Sequence, residues 1–197
     1  MEEEKQITIT ADDYEDFYFE TPLSETLDQV LDYARRGNSQ FGPWIPVSGL
    51  PGSGKTSIIK AWLRHNRLKN WYIEGSRRAK EMKVERYPAS ASKPGVHLVS
   101  GEDLASLLTP KEETISVLFS AAEIEAVDGE TVIVIDDYDR FDEKERAILY
   151  ELIRHHRVED ERGETTILHP LMLIVVLDAC NLGVLNAEEK RLLGFSK

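Results

Sequence analysis

The chain has almost no cysteine: Cys180 is the single one in 197 residues. One thiol excludes an internal disulfide framework and a cysteine-based zinc cluster, and it fits a reducing, cytoplasmic setting. Long apolar runs are missing as well. The longest, Leu171 to Leu177, has strand length and falls far short of the roughly 20 residues a membrane span needs. The start, Met1-Glu2-Glu3-Glu4-Lys5, is acidic and polar, unlike a signal peptide. Positive charge is scarce: 24 Lys and Arg against 36 Asp and Glu leave a net charge of −12. That balance argues against a broad nucleic-acid-coating surface, which needs clustered Lys and Arg, but leaves room for a local basic patch. The hydrophobic fraction of 41% and charged fraction of 30% are ordinary, so one globular domain with a sizeable core is expected.

What is present is organised around Gly49-Leu50-Pro51-Gly52-Ser53-Gly54-Lys55-Thr56, which fits G-x-x-x-x-G-K-[ST] at every fixed position. An apolar run, Trp44-Ile45-Pro46-Val47, precedes it, and a helical pattern with Ile58, Ile59, Ala61, Trp62 and Leu63 follows. Strand, glycine-rich turn and helix together make a phosphate cradle. The glycines let backbone N–H groups converge, and the helix start adds partial positive charge. Gly49 through Thr56, with Ser57 behind them, are the candidate nucleotide-binding residues. Lys55 suits the β- and γ-phosphates, and the Thr56 hydroxyl suits Mg²⁺. A flexible loop that merely ends in Gly-Lys-Thr is the plainer alternative, and the flanking strand and helix weigh against it.

Residues 1–20 form an acidic arm, with seven Asp or Glu among the first sixteen residues and Tyr14, Phe17, Tyr18 and Phe19 for docking. Within it, Gln6 to Thr10 alternates like a strand. Thr21 caps a helix with Pro22 at its first position, Leu23, Leu27, Val30, Leu31 and Ala34 on one face, and Gly37 as terminator. After the central helix, which runs to about Asn66, Trp71-Tyr72-Ile73 is a short strand. Arg77, Arg78, Lys80, Lys83 and Arg86 make a basic cluster, either a solvated face or a contact for an anionic partner. Ala89 to Gly95 is a loop, Val96 to Val99 a strand whose His97 lacks a second ligand at metal-site spacing, and Glu102 to Leu108 a short helix. Ile115, Leu118, Phe119, Ala122 and Ala126 recur at helical spacing.

A second informative stretch is Thr131-Val132-Ile133-Val134-Ile135-Asp136-Asp137-Tyr138-Asp139-Arg140. Four consecutive β-branched apolar residues suggest a strand buried on both faces of a parallel sheet. Ligands bind at the carboxyl ends of such strands, where Asp136 and Asp137 stand. Asp136 is placed to hold Mg²⁺ with Thr56, and Asp137 to orient an attacking water, while Asp139 caps the next helix or supports the loop. A helix over Glu143 to Arg157 follows, with Ala147, Ile148, Leu152 and Ile153 as its apolar face, then a loop rich in Glu, Asp and Thr. Leu171 to Leu177 is a further strand, followed by Asp178 and Asn181, and Ala187 to Leu193 is a last short helix.

The glycine-rich loop together with the strand ending Asp136-Asp137-Tyr138-Asp139-Arg140 resembles AAA+ ATPases over roughly Pro43 to Asn181. The resemblance implies an α/β fold of three layers, a mostly parallel central sheet flanked by helices, with residues 21–197 as the core. It implies ATP and Mg²⁺ as ligands, Lys55 and Thr56 on the phosphates and metal, Asp136 as the metal-side acid, and Asp137 at the place of the catalytic glutamate. Aspartate is one methylene shorter, which implies poorer positioning of water. The strand Leu171 to Leu177 looks like the one before the family's polar sensor. Asn181 has the amide chemistry that a γ-phosphate sensor needs, whereas Asp178 would repel phosphate unless a metal or an arginine intervened. Arg157 or Arg162 could act as a finger into a neighbouring site, with a solvated helix end as the plainer reading. The family usually continues into a helical lid; about 20 residues follow the strand here, so a lidless core of phage or prophage type is expected.

Three functions follow as expectations. The first is an oligomeric, Mg²⁺-dependent ATPase that remodels a protein or nucleic acid, its site completed by a second copy or a partner subunit. The second is a small-molecule kinase, against which the late buried strand carrying Asp136 and the lack of an arginine-rich lid both speak. The third is a nucleotide-gated binding module with vestigial hydrolysis.

Overall fold

The computed structural model describes residues 18–37, 42–75, 119–160 and 162–195. The acidic arm up to Phe17, the basic cluster Arg77 to Arg86, the His97 strand and the helix over Glu102 to Leu108 lie outside the described residues.

Among the described residues, four parallel strands form the central sheet: β1 (Trp44–Gly49), β2 (Asn70–Glu74), β3 (Val132–Asp136) and β6 (Met172–Asp178), in the spatial order β1-β6-β3-β2. The two central strands, β6 and β3, are buried along their whole length. Their β-branched and leucine-rich composition suits strands covered on both faces. Side chains alternate across the sheet, so each strand feeds two cores. Val132, Val134, Ile174 and Val176 face α1 (Pro22–Arg35) and α2 (Lys55–His65), packing with Leu27, Leu31, Ile59 and Trp62. Ile133, Ile135, Leu173 and Val175 face the opposite way, toward Leu149, Leu152 and Ile153 of α4 (Glu143–His155). Each fully buried Leu, Ile or Val contributes about 1.5–3 kcal/mol over its exposed state. The three-layer α/β architecture expected from the sequence is what the chain adopts.

Local chemistry sets the helix ends. Thr21 caps α1, its hydroxyl accepting from the Ser24 amide at 3.1 Å while the Thr21 amide donates to Ser24 Oγ at 2.8 Å. Asp142 caps α4 in the same way, accepting from the Glu145 amide at 2.9 Å. Ser120 caps α3 (Ala121–Glu125), and Asn186 caps α5 (Ala187–Leu192). Trp62 Nε1 donates to Asp28 Oδ1 at 2.7 Å and ties α2 to α1.

Two expectations need correction. The segment after α4 is no plain loop: β4 (Arg157–Glu159) and β5 (Thr165–Ile167) pair antiparallel. Buried Asp160 builds the turn between them, accepting from the amides of Arg162 and Glu164 at 2.8 Å each, with Gly163 at φ 78°. Arg157 is therefore a strand residue, since His156 at φ 54° stops α4 at His155, two residues earlier. The buried face of α4 is also rotated. Ala147 is exposed, while Glu145, Arg146 and Leu149 are buried. Arg146 turns inward because its Nε donates to Glu189 Oε1 at 3.0 Å and its Nη1 to the Phe141 carbonyl at 2.6 Å. Among the described residues no helix is long and apolar enough to cross a membrane.

Candidate nucleotide site

The strand register gathers chemistry at one rim. Gly49 lies opposite Asp178 across β1 and β6, and Glu74 lies opposite Asp136 across β2 and β3. All four strands run the same way, so all four ends open on the same side. The loop from Leu50 to Gly54 leaves β1 at that rim and turns into α2. Gly52 and Gly54 adopt φ 75° and 83°, a left-handed conformation that a side chain would strain. Leu50, Pro51, Gly52 and Ser53 are exposed, as is Ser57 on the first turn of α2. The α2 start carries no side-chain cap, so no capping side chain occupies its first amides.

Two aspartates close the rim from the sheet side. Asp136 Oδ2 accepts from Thr56 Oγ1 at 2.9 Å and from Tyr72 Oη at 2.6 Å, and its Oδ1 accepts from the Asp137 amide at 3.0 Å. Burial, and then the Asp136 carboxylate beside it, push the Tyr72 phenol far above its ordinary value, so it remains a donor. Lys60 lies over the Tyr72 ring at 4.6 Å and pairs with Glu74 at 2.8 Å. Asp178 meets the other side of the loop: Lys55 Nζ donates to Asp178 Oδ1 at 2.8 Å. Lys55 Nζ also donates to the Gly49 and Leu50 carbonyls at 3.1 and 3.0 Å.

A tight turn follows β3. Asp137 stands at φ 54°, a left-handed position that Asp tolerates better than most residues. Its Oδ1 lies 3.8 Å from Arg140 Nε, and Arg140 Nη2 lies 4.0 Å from Asp178 Oδ2. Arg140 therefore spans the two carboxylates. Asp139 is buried and joins this turn to the end of β6, accepting from the Asp178 amide at 2.9 Å and from Asn181 Nδ2 at 2.7 Å. Of its two expected roles it takes the second, supporting the loop, while Asp142 caps the helix.

The structure thus brings Lys55, Thr56, Asp136 and Asp137 together at one rim. Asn181 reaches the same corner, with its amide engaged by Asp139. Arg162 belongs to the hairpin turn and Arg157 pairs with Glu151 at 2.6 Å, on the α4 side of the molecule. Three contributors escaped the sequence reading. Tyr72 carries the signal of strand periodicity: Trp71 and Ile73 face one core while Tyr72 turns to the other, toward α2. Gly75 leaves no room for a side chain, because a Cβ there would stand 2.5 Å from the Asp137 carbonyl. Arg140 was part of the motif but had no assigned partner.

A parallel sheet with a glycine-rich loop, a lysine and a facing aspartate at its carboxyl rim defines a P-loop nucleotide-binding protein of the α/β class. The chain belongs to the AAA ATPase domain family, which matches residues 23–174. No curated protein matches it. Among solved structures it is similar to forms of Thermotoga maritima RuvB. One variant is 16% identical, with a TM-score of 0.46 over 88% of this chain and 43% of that one. A second is 17% identical, with a TM-score of 0.46 over 90% and 44%. The structure described as a Holliday junction branch migration motor is 16% identical, with a TM-score of 0.44 over 87% and 42%. The chain spans less than half the length of these structures.

Proposed function

We propose that this chain binds Mg·ATP and hydrolyses its β–γ phosphoanhydride bond, working as an oligomer or with a partner subunit on a protein or nucleic-acid client. The observation that carries the reading is the 2.9 Å hydrogen bond from Thr56 on the loop helix to Asp136 at the end of β3. It joins the two halves of a phosphate-and-metal site that lie far apart in sequence. The donor set suits Mg²⁺, a hard cation that takes one or two protein oxygens and fills its shell with phosphate and water. Among the described residues no group of three or more His, Cys, Asp or Glu could hold a metal by itself, and Mg²⁺ held on phosphate needs no such cage. When bound, the ion would neutralise charge on the phosphate oxygens.

In this reading the amides of Gly52 to Thr56 cradle the phosphates, and Lys55 supplies a point charge to the terminal ones. Asp136 keeps Thr56 oriented toward the metal. Asp137 orients water for in-line attack, and the short aspartate makes turnover slow. Catalysis then rests on positioning and charge stabilisation.

The test measures phosphate release and molecular size together, with and without ATP and Mg²⁺. Release of ADP and phosphate with no acceptor, rising more than linearly with protein concentration, is the expected result. Turnover that demands a nucleoside or nucleotide acceptor would establish a kinase instead. In the same assay Asp137→Ala should keep ATP binding and lose turnover; normal hydrolysis by that variant would remove Asp137 from its role.

A further inference from the structure

We propose that Asp178 makes this site discriminate against the triphosphate relative to the diphosphate, by competing with the terminal phosphate for Lys55; the inference rests on the nucleotide reading above. An ammonium group has three N–H donors, and Lys55 directs them at Gly49 O, Leu50 O and Asp178 Oδ1 at 3.1, 3.0 and 2.8 Å. Two of these acceptors are neutral carbonyls of the loop itself. Only Asp178 is charged, and it is the shortest contact.

Asp178 is poorly able to step aside. It ends β6 in register with Gly49, its amide is held by Asp139 at 2.9 Å, and its side chain is only 8% exposed. A phosphate drawn to Lys55 must therefore come close to a fixed, desolvated carboxylate. The repulsion grows with the charge delivered, so a triphosphate suffers more than a diphosphate. The opposing charge is Arg140, 4.0 Å from Asp178 Oδ2, 3.8 Å from Asp137 Oδ1 and half exposed. Its guanidinium can close on Asp178 once Lys55 turns to the phosphates, which makes Arg140 a positioning residue for the carboxylate.

The experiment is equilibrium binding of trinitrophenyl-ATP and trinitrophenyl-ADP, with and without Mg²⁺. Asp178→Asn keeps the side-chain shape and an oxygen acceptor for Lys55 and removes the charge. It should tighten ATP binding about ten-fold and ADP binding about three-fold or less, as expected for one nearby charge. Arg140→Ala should do the reverse, weakening ATP more than ADP, and its effect should shrink once Asp178 is Asn, to the share that runs through Asp137. An unchanged ATP-to-ADP ratio in a wild type that binds both would overturn the inference and leave the nucleotide reading standing. Failure of wild type and variants alike to bind either nucleotide would overturn both. Should Asp178→Asn fail to fold, as judged by its melting transition, Asp178→Ser, which removes the same charge, replaces it, and an unchanged ratio there overturns the proposal.

Discussion

Asp136 and Asp178 end adjacent central strands, at 3% and 6% exposure, within reach of the same loop. Their surroundings differ completely. Asp136 accepts from two hydroxyls and a backbone amide, all neutral donors. Asp178 faces two cations, Lys55 at 2.8 Å and Arg140 at 4.0 Å. A carboxylate satisfied by neutral donors keeps its negative charge available to a metal. A carboxylate satisfied by a lysine subtracts from what that lysine can offer a phosphate. Residue type and strand position are the same in both corners, so the neighbours assign the roles.

The largest expected effect breaks the Asp178 corner. Lys55→Ala removes the cation that Asp178 holds and that the phosphates would share in the proposed function, leaving the carboxylate to face the loop with Arg140 alone. Loss of a charged hydrogen bond to phosphate predicts ATP binding weaker by about 100-fold, measured by the same nucleotide titration. Near-normal affinity would mean that the loop amides hold the phosphates unaided. Next in size is Gly75→Ala, which strikes the wall behind Asp137. A Cβ there would stand 2.5 Å from the Asp137 carbonyl and 3.0 Å from the Phe141 ring, so the turn must shift. Overpacking of this kind predicts a loss of about 1–3 kcal/mol in denaturant unfolding, with turnover falling further than the stability change alone accounts for. A variant equally stable and equally active would show that this turn yields without consequence.

Tyr72→Phe sharpens the Asp136 corner. It removes one neutral donor from Oδ2 and leaves Thr56 in place. About 1 kcal/mol of stability should be lost. The Mg²⁺ concentration for half-maximal phosphate release should shift with little change in binding of metal-free ATP. Equal shifts in both would place Tyr72 on the nucleotide rather than on the metal-side acid.

These differences explain what was legible in the sequence. The parallel strands were, because β-branched runs such as Val132 to Ile135 state their burial directly. So was the position of the glycine-rich loop between β1 and α2, and of Asp136 at the end of β3, because contiguous residues carry those patterns. The Asp178 contact was half legible: repulsion of phosphate unless a cation intervenes follows from residue type, but the identity of the cations needs β6 to lie between β1, which leads to Lys55, and β3, which leads to Arg140. Tyr72 and Gly75 depend on β2 lying beside β3, which no local pattern announces. The rotated face of α4 has the same cause, since Arg146 is drawn inward by Glu189, distant in sequence. The hairpin over 157–167 escaped because its strands are short and polar, with Val158 the buried residue of β4 and β5 exposed throughout.

The smallest effect lies away from both corners and shows whether acid acts on the site or on the scaffold. His156 is buried at the end of α4 in a left-handed conformation, its carbonyl accepting from the Leu168 amide at 2.8 Å. Burial lowers its affinity for a proton below the ordinary value of 6.5, with the nearby His169 adding to the effect. The unfolded chain therefore takes up a proton at His156 before the folded chain does. Stability is intact above pH 6.5 and falls as the pH drops below it, until the folded imidazole also protonates. One proton sets the slope at no more than about 1.4 kcal/mol per pH unit. His156→Asn keeps a residue that tolerates φ near 54° and cannot titrate there. Unfolding free energies between pH 7.5 and 5.5 should fall for the wild type more steeply than for His156→Asn. Parallel curves would move the acid sensitivity to other groups, with the carboxylates at the rim the next to be tested.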